Sequence, residues 1–343
     1  MPPEWQITPA ATHIRGLRLD ENGTVTQAFR PLAPGPVGVD GNRLVRDGKP
    51  LTEAFTAIDS FDYSPSRDEV VFSAKRDAGF DIGLVAGDGS KTNWAPGDPA
   101  DEVMVEWAPR GYKISYVVRA SMGDVVRTLH VPTSYQYAID FGTATISELA
   151  WGAAGEKYAV AYSTLDASDR VEVLRYDGRD RTMPIRPAEK LAVDVVPFAA
   201  GAFALRPQDL RYEEKLPVVV WQVDRFDWSD ARAALLRNAR VAVIVARTID
   251  DALWQTVRST PWLDSSRTFA VTSNHVGRAS ARPQDRPAEA RPTFVIGDPA
   301  VPAGHFRRQA NVVAVAPVAV QSFAAGFIAD QLKRTSRTNG SSR

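Results

Sequence analysis

Ser273, Asp298 and His305 are the residues of this 343-residue chain that can be written as a nucleophile, an acid and a base. Serine attack on an acyl carbon needs a base to take the hydroxyl proton and an acid to orient that base. His275 stands two residues after Ser273, in Thr272-Ser-Asn-His-Val-Gly277, where an apolar run gives way to a turn. That place suits a helix-start residue on a strand-to-helix turn as well as a reacting group. His275 with His305 makes a poor metal pair, because no carboxylate or third histidine stands at ligand spacing. No cofactor is expected: neither a Gly-x-Gly-x-x-Gly nor a Walker loop is present to cradle phosphate. The absence of cysteine excludes thiolate metal sites, cysteine catalysis and disulfides.

Around these residues the second half of the chain alternates strand and helix. Leu216-Pro-Val-Val-Val-Trp221 is a continuous apolar run, suited to a strand buried on both faces of a parallel sheet. A helix is expected over Trp228–Asn238 with Ser229 or Asp227 as cap, then a strand at Val241–Ala246 and a helix at Asp250–Ser259. Strands at Thr268–Thr272, Thr293–Ile296 and Val312–Val315 and a helix at Gln321–Arg334 complete an α/β domain. Arg278, Arg282, Arg286 and Arg291 share a Pro-rich stretch with Asp285 and Glu289, which reads as a solvated loop.

The first half follows another rule. Tyr63, Trp107 and Trp151 recur at intervals of 44 residues, ending the apolar runs Phe61-Asp-Tyr63, Val105-Glu-Trp107 and Leu149-Ala-Trp151. Second runs follow at equal offsets, Val70-Val-Phe72, Ile114-Ser-Tyr116 and Tyr158-Ala-Val160. Weaker copies fall at Leu19 and at Val195 with Phe203. A period of about 40–45 residues with several short strands per unit is the mark of β-propeller blades. Equal spacing on equivalent strands should place the three aromatics on one face, as blade core rather than as a stacking platform. Asn22-Gly, Asp40-Gly and Asp47-Gly mark tight hairpin turns. The expected architecture is therefore β plus α/β. A β-propeller-like domain of about five units covers 13–211, an α/β domain 212–334, and a polar, disordered tail 335–343.

The unit Phe61–Gly89 resembles the blades of TolB-type propellers and of the propellers that precede the catalytic domain in prolyl-oligopeptidase-like proteins. There an aromatic-x-Ser-Pro-Asp-Gly turn leads through a strand to Ser-x-Arg-Asp-Gly and Asp-Ile-Tyr. Here Arg67-Asp68 replaces the Asp-Gly and Gly83 the tyrosine. The second half resembles a shortened α/β-hydrolase domain of the same type. Aligned on Gly277, the Gly-x-Ser-x-Gly elbow has Ser273 at its first glycine and His275 at its nucleophile. Gln222-Val-Asp-Arg225 stands where the family's His-Gly-Gly oxyanion motif follows the first strand. Asp298 is the one acid of the acid loop, and Pro317-Val-Ala-Val-Gln321 has no histidine where the family's base is found.

The resemblance implies a non-catalytic scaffold that holds a peptide or protein partner on the propeller face or in the groove between the domains. Its alternative is a divergent serine hydrolase of peptide or ester bonds using Ser273. A small ligand at the strand carboxyl ends is the third reading. Forty-one basic residues balance 41 acidic ones, which argues against a nucleic-acid partner. Val312–Ala329 is free of charge but contains Pro317, Gln321 and Ser322, so a strand and a core helix are expected rather than a membrane span. The opening Met1-Pro-Pro-Glu-Trp-Gln carries no secretory pattern, which suggests the cytoplasm, or the periplasm for a mature form. Oligomeric state is left open.

Overall fold

The computed structural model describes residues 36–76, 79–109, 111–152 and 155–273, with strands 17–19, 25–28, 293–296 and 314–315. The chain divides into two compact units, residues 1–164 with 169–188, and residues 165–168 with 189–343.

The first unit is a series of antiparallel sheets. β1 (Leu17–Leu19) pairs with β2 (Val25–Ala28), and β3 (Val37–Asp40), β4 (Arg43–Arg46) and β5 (Lys49–Pro50) form a three-stranded sheet. Three four-stranded sheets follow. The first holds β6 (Ile58–Ser64), β7 (Glu69–Lys75), β8 (Phe80–Ala86) and β9 (Thr92–Trp94). The second holds β10 (Glu102–Trp107), β11 (Lys113–Ala120), β12 (Gly123–His130) and β13 (Tyr135–Asp140). The third holds β14 (Thr145–Trp151), β15 (Lys157–Thr164), β16 (Ala167–Arg175) and β17 (Thr182–Ile185). Each sheet is a plain meander, strand next to sequential strand, as propeller blades are. No helix occurs among the described residues of this stretch.

The 44-residue period is a period of register. Tyr63 faces Val70, Trp107 faces Ile114 and Trp151 faces Tyr158 across the first hairpin of successive sheets. The first strands also break register at matching places, Ile58/Ser60, Val103/Glu106 and Ile146/Glu148. Trp107 and Trp151 are buried, as their spacing implies, but Tyr63 is half-buried. Its hydroxyl donates to Asp68 Oδ1 at 2.7 Å and Arg46 lies 5.1 Å above its ring. A phenol can reach the surface with its polar end and stay apolar beneath.

Two hairpins of β3–β5 turn on residues with positive φ. Asp47 (50°) and Gly48 (73°) form one, as expected. The other turns on Gly41 (54°) and Asn42 (63°), one residue later than Asp40-Gly suggested. Asn tolerates the left-handed region well enough to serve as second turn residue.

The second unit is built on one seven-stranded mixed sheet. Its strands are β18 (Val193–Ala199), β19 (Ala202–Pro207), β20 (Leu216–Gln222), β21 (Ala242–Ala246), β22 (Leu263–Ser273), β23 (Thr293–Ile296) and β24 (Ala314–Val315). The order is β18-β19-β21-β20-β22-β23-β24, antiparallel at β18–β19 and β19–β21 and parallel thereafter. The weak repeat copy around Val195 and Phe203 is thus the β18–β19 hairpin of this sheet, not a further blade. Ala202, Phe203, Ala204 and Leu205 are all buried, which fits a strand covered on both faces.

Helices α1 (Asp230–Asn238) and α2 (Asp251–Ser259) cross from β20 to β21 and from β21 to β22. Those crossings run in opposite directions along the sheet, so right-handed connections place them on opposite faces. Val219, Val243, Val245 and Val271 pack with Ala233 and Leu235 of α1. Val218, Val220 and Ile244 pack with Leu253 and Val257 of α2. The alternation of strand side chains thus feeds two cores. Ser229 caps α1 by accepting from Arg232 N at 3.4 Å, and Asp250 caps α2 by accepting from Leu253 N at 2.8 Å. The expected helix Gln321–Arg334 lies outside the described residues, as does the tail 335–343.

Candidate functional site

In an open parallel sheet, ligands gather at strand carboxyl ends where the strand order reverses. Here that point lies between β20 and β22, since β20 connects to β21 on one side and has β22 on the other. Ser273 is the last residue of β22 and pairs with Ile296, the last of β23. The backbone of Ser273 therefore lies at the carboxyl end of the parallel strands, beside the strand that leads in sequence to Asp298. His275, Asp298 and His305 lie outside the described residues, so of the four candidates only the backbone of Ser273 has a place.

The loop after β20 is filled by its own side chains. Val223 N donates to Ala246 O at 2.9 Å, which spends that amide on the sheet ladder. Gln222 Nε2 donates to Arg247 O at 3.3 Å. Phe226 is buried edge-on against Phe203, ring centroids 5.0 Å apart, under the Arg247 guanidinium at 5.2 Å. The buried Arg232 donates to the Asp227 carbonyl, and burial lowers its pKa. An oxyanion hole needs backbone N–H groups aimed into open space. This loop gives its first amide to a β21 carbonyl and packs its aromatic ring on Phe203 of β19. An open recess lined by Arg211, Tyr212, Glu213, Glu214 and Arg240 lies instead at the amino ends of β20 and β21, away from the switch point.

By sequence the chain matches no family profile and no curated protein. Its fold is similar to that of solved structures. Prolyl oligopeptidase B from Galerina marginata superposes with a TM-score of 0.52 at 8% identity, over 67% of this chain and 40% of that one. Dipeptidyl peptidase 4 from Porphyromonas gingivalis gives 0.46 at 12% identity, over 74% of this chain and 42% of that one. A putative TolB from Agrobacterium tumefaciens gives 0.36 at 14% identity, over 51% and 61%. The likeness is one of fold. The chain spans about two fifths of the length of the two peptidases. The likeness of fold to prolyl oligopeptidase B agrees with the resemblance carried by the repeat.

The first unit holds polar groups of another kind, at the seams between its sheets. Neighbouring first strands share no backbone ladder, so their amides need other acceptors. Met104 N donates to Asp59 Oδ2 at 2.8 Å, Val105 N to Ser60 Oγ at 3.0 Å and Trp107 N to Asp62 Oδ2 at 2.8 Å. From the other side, Glu102 Oε2 accepts from Ile82 N at 3.3 Å, and Ser73 Oγ donates to Glu102 O at 2.6 Å. One seam further on, Trp151 N donates to Glu106 Oε2 at 3.2 Å and Ile146 N to Asp124 Oδ2 at 2.7 Å. Burial pushes both Asp62 and Glu102 up to about 7, although each accepts a backbone N–H. Tyr116, buried beside Glu102 and Arg127, is pushed up to about 12.

Sequence reasoning passed over these acids, although two of them sit directly before a repeat aromatic, Asp62-Tyr63 and Glu106-Trp107; the third repeat has Ala150 before Trp151. A carboxylate recurring with the period on an otherwise apolar strand was the available signal. Among the described residues no group of His, Asp and Glu could hold a metal ion. No described helix is long and apolar enough to cross a membrane.

Proposed function

We propose that the protein is a non-catalytic binding scaffold derived from a prolyl-oligopeptidase-like hydrolase, with a peptide or protein partner held on the face of its propeller-like unit. The observation that carries this reading is the closed loop after β20. Val223 gives its amide to Ala246 O and Phe226 packs on Phe203 of β19, so neither is offered to a ligand after β20, which supports a role other than acyl chemistry. The elbow sequence supports the same reading, since a histidine stands at the nucleophile position and no glycine precedes Ser273 closely enough to relieve the turn. The balanced charge favours a protein or peptide partner over nucleic acid.

A fluorophosphonate probe on the purified full chain tests the proposal, with Ser273→Ala as control. The expected result is no covalent labelling of either protein, together with saturable peptide binding in an immobilised peptide library that the substitution leaves unchanged. Labelling that disappears in Ser273→Ala means a serine hydrolase and overturns the scaffold reading.

A further inference from the structure

The seam between the β6–β9 sheet and the β10–β13 sheet is stitched almost wholly by side chains, and its two innermost stitches are carboxyl groups. Asp62 is 9% exposed and Glu102 is fully buried. Asp62 is faced by the backbone amides of Trp107 and Tyr63, and no charged side chain from β7 or β10 contributes to its field. Glu102 is faced by Arg127 of β12, Asp98 of the β9–β10 connection, Asp81 of β8 and the Tyr116 phenol of β11. Its Oε1 makes no hydrogen bond and lies 3.9 Å from Arg127 Nη1, while Nη2 of the same guanidinium donates to Asp98 Oδ2 at 2.6 Å. Two carboxyl groups are thus sealed in one seam, one with no cation in reach and one with a cation shared away. The next seam differs. There Asp124 accepts from Ile146 N while held by the Arg119 guanidinium, so its charge is compensated where it sits.

We propose that the seam between these two sheets is a pH-sensitive joint, closed while Asp62 and Glu102 are protonated and opened to water when they ionise. A buried charge without a partner is relieved most cheaply by hydration. Hydration here means parting the Trp107, Val105, Met104 and Ile82 amides from their acceptors. Both groups titrate at about 7 in the closed seam and near their ordinary values once wet. Opening therefore releases a proton, and the opening equilibrium grows with pH. Between pH 6 and pH 8 it rises about tenfold for each group, most of it below pH 7, because above that the closed form ionises in place.

Amide hydrogen exchange on the full chain, read as protection factors so that intrinsic base catalysis is divided out, tests this directly. The amides of Met104, Val105, Trp107 and Ile82 should lose at least about tenfold protection from pH 6 to pH 8. The Ile146 amide, held by the ion-paired Asp124, should keep its protection and serves as internal control. In Asp62→Asn with Glu102→Gln, which keep an acceptor oxygen and cannot ionise, the pH dependence should vanish. Loss of protection that persists in the double variant overturns the proposal, and so does wild-type protection that is flat across the interval. If the double variant fails to fold, the wild-type contrast decides: a fall at the Trp107 amide without one at Ile146 upholds the joint, and equal changes at both overturn it.

Discussion

Asp62 Oδ2 accepts a hydrogen bond from the backbone N–H of Trp107 at 2.8 Å, joining the residue before one repeat aromatic to the next repeat aromatic in the following sheet. The contact answers a need that every propeller-like stack has, because the first strand of each sheet shows its outer amides to a neighbour with which it shares no ladder. Removing the acceptor should be costly and replacing it should not. Asp62→Ala leaves a buried N–H unsatisfied and is expected to lose about 1–3 kcal/mol in urea unfolding at pH 5, where Asp62 is neutral. Asp62→Asn should lose markedly less. Equal losses in the two variants would show that the stitch contributes nothing.

Stability should also depend on pH through the same groups. The folded-state values of Asp62 and Glu102 lie above their unfolded values of 3.8 and 4.5, at about 7. Their contribution is therefore complete below about pH 4, falls as pH rises, and is lost above about pH 7. Urea midpoints of the wild type should decline from pH 5 to pH 8 more steeply than those of Asp62→Asn with Glu102→Gln. Parallel curves would refute the assignment.

The three periodic aromatics should not be equal in a truncation series. Trp151 is fully buried against Tyr158, ring centroids 5.2 Å apart, and Trp151→Ala is expected to cost about 3–5 kcal/mol. Tyr63→Phe removes a half-exposed hydroxyl from Asp68, and its cost should stay near or below about 1 kcal/mol. Thermal unfolding of both variants checks the contrast, and a Tyr63→Phe loss as large as that of Trp151→Ala would contradict it.

Gly83 is one of two places where the first four-stranded sheet departs from the blade pattern, and its neighbour explains why. Phe72 is its register partner, and a Cβ at Gly83 would lie 2.3 Å from Phe72 Cζ. The Phe72 ring covers the glycine and packs against Phe55 at 5.5 Å and Trp94 at 5.4 Å. A glycine in a strand commonly marks such a close approach. Gly83→Ala should therefore destabilise by about 1–3 kcal/mol despite alanine's better backbone entropy. Restoring the tyrosine of the pattern should be worse. A stabilised Gly83→Ala protein would show that the ring moves aside freely.

Much of the second unit was written in local pattern. The runs Leu216–Trp221 and Val241–Ala246 and the helical stretches Trp228–Asn238, with Ser229 or Asp227 as cap, and Asp250–Ser259 predicted β20, β21, α1 and α2 to within a residue or two, because burial on both faces and helix capping are properties of a few neighbouring side chains. The 44-residue period was read as about five units, and its three well-patterned ones are the three meandering four-stranded sheets, since equal spacing on strands forces equal register. What the sequence could not determine by itself was which sheet a hairpin joins. Residues 193–207 carry enough apolar alternation to pass for another blade, yet β19 pairs with β21, a partner about 40 positions away in the chain. Pairing is chosen by whatever surface covers both faces, and that surface exists only once the rest of the unit has folded. The same holds for Asp62. Its type and period could be read from the chain, but its meaning, a buried carboxyl whose acceptor role binds one sheet to the next, arises from the 2.8 Å between two strands that tertiary structure alone brings together.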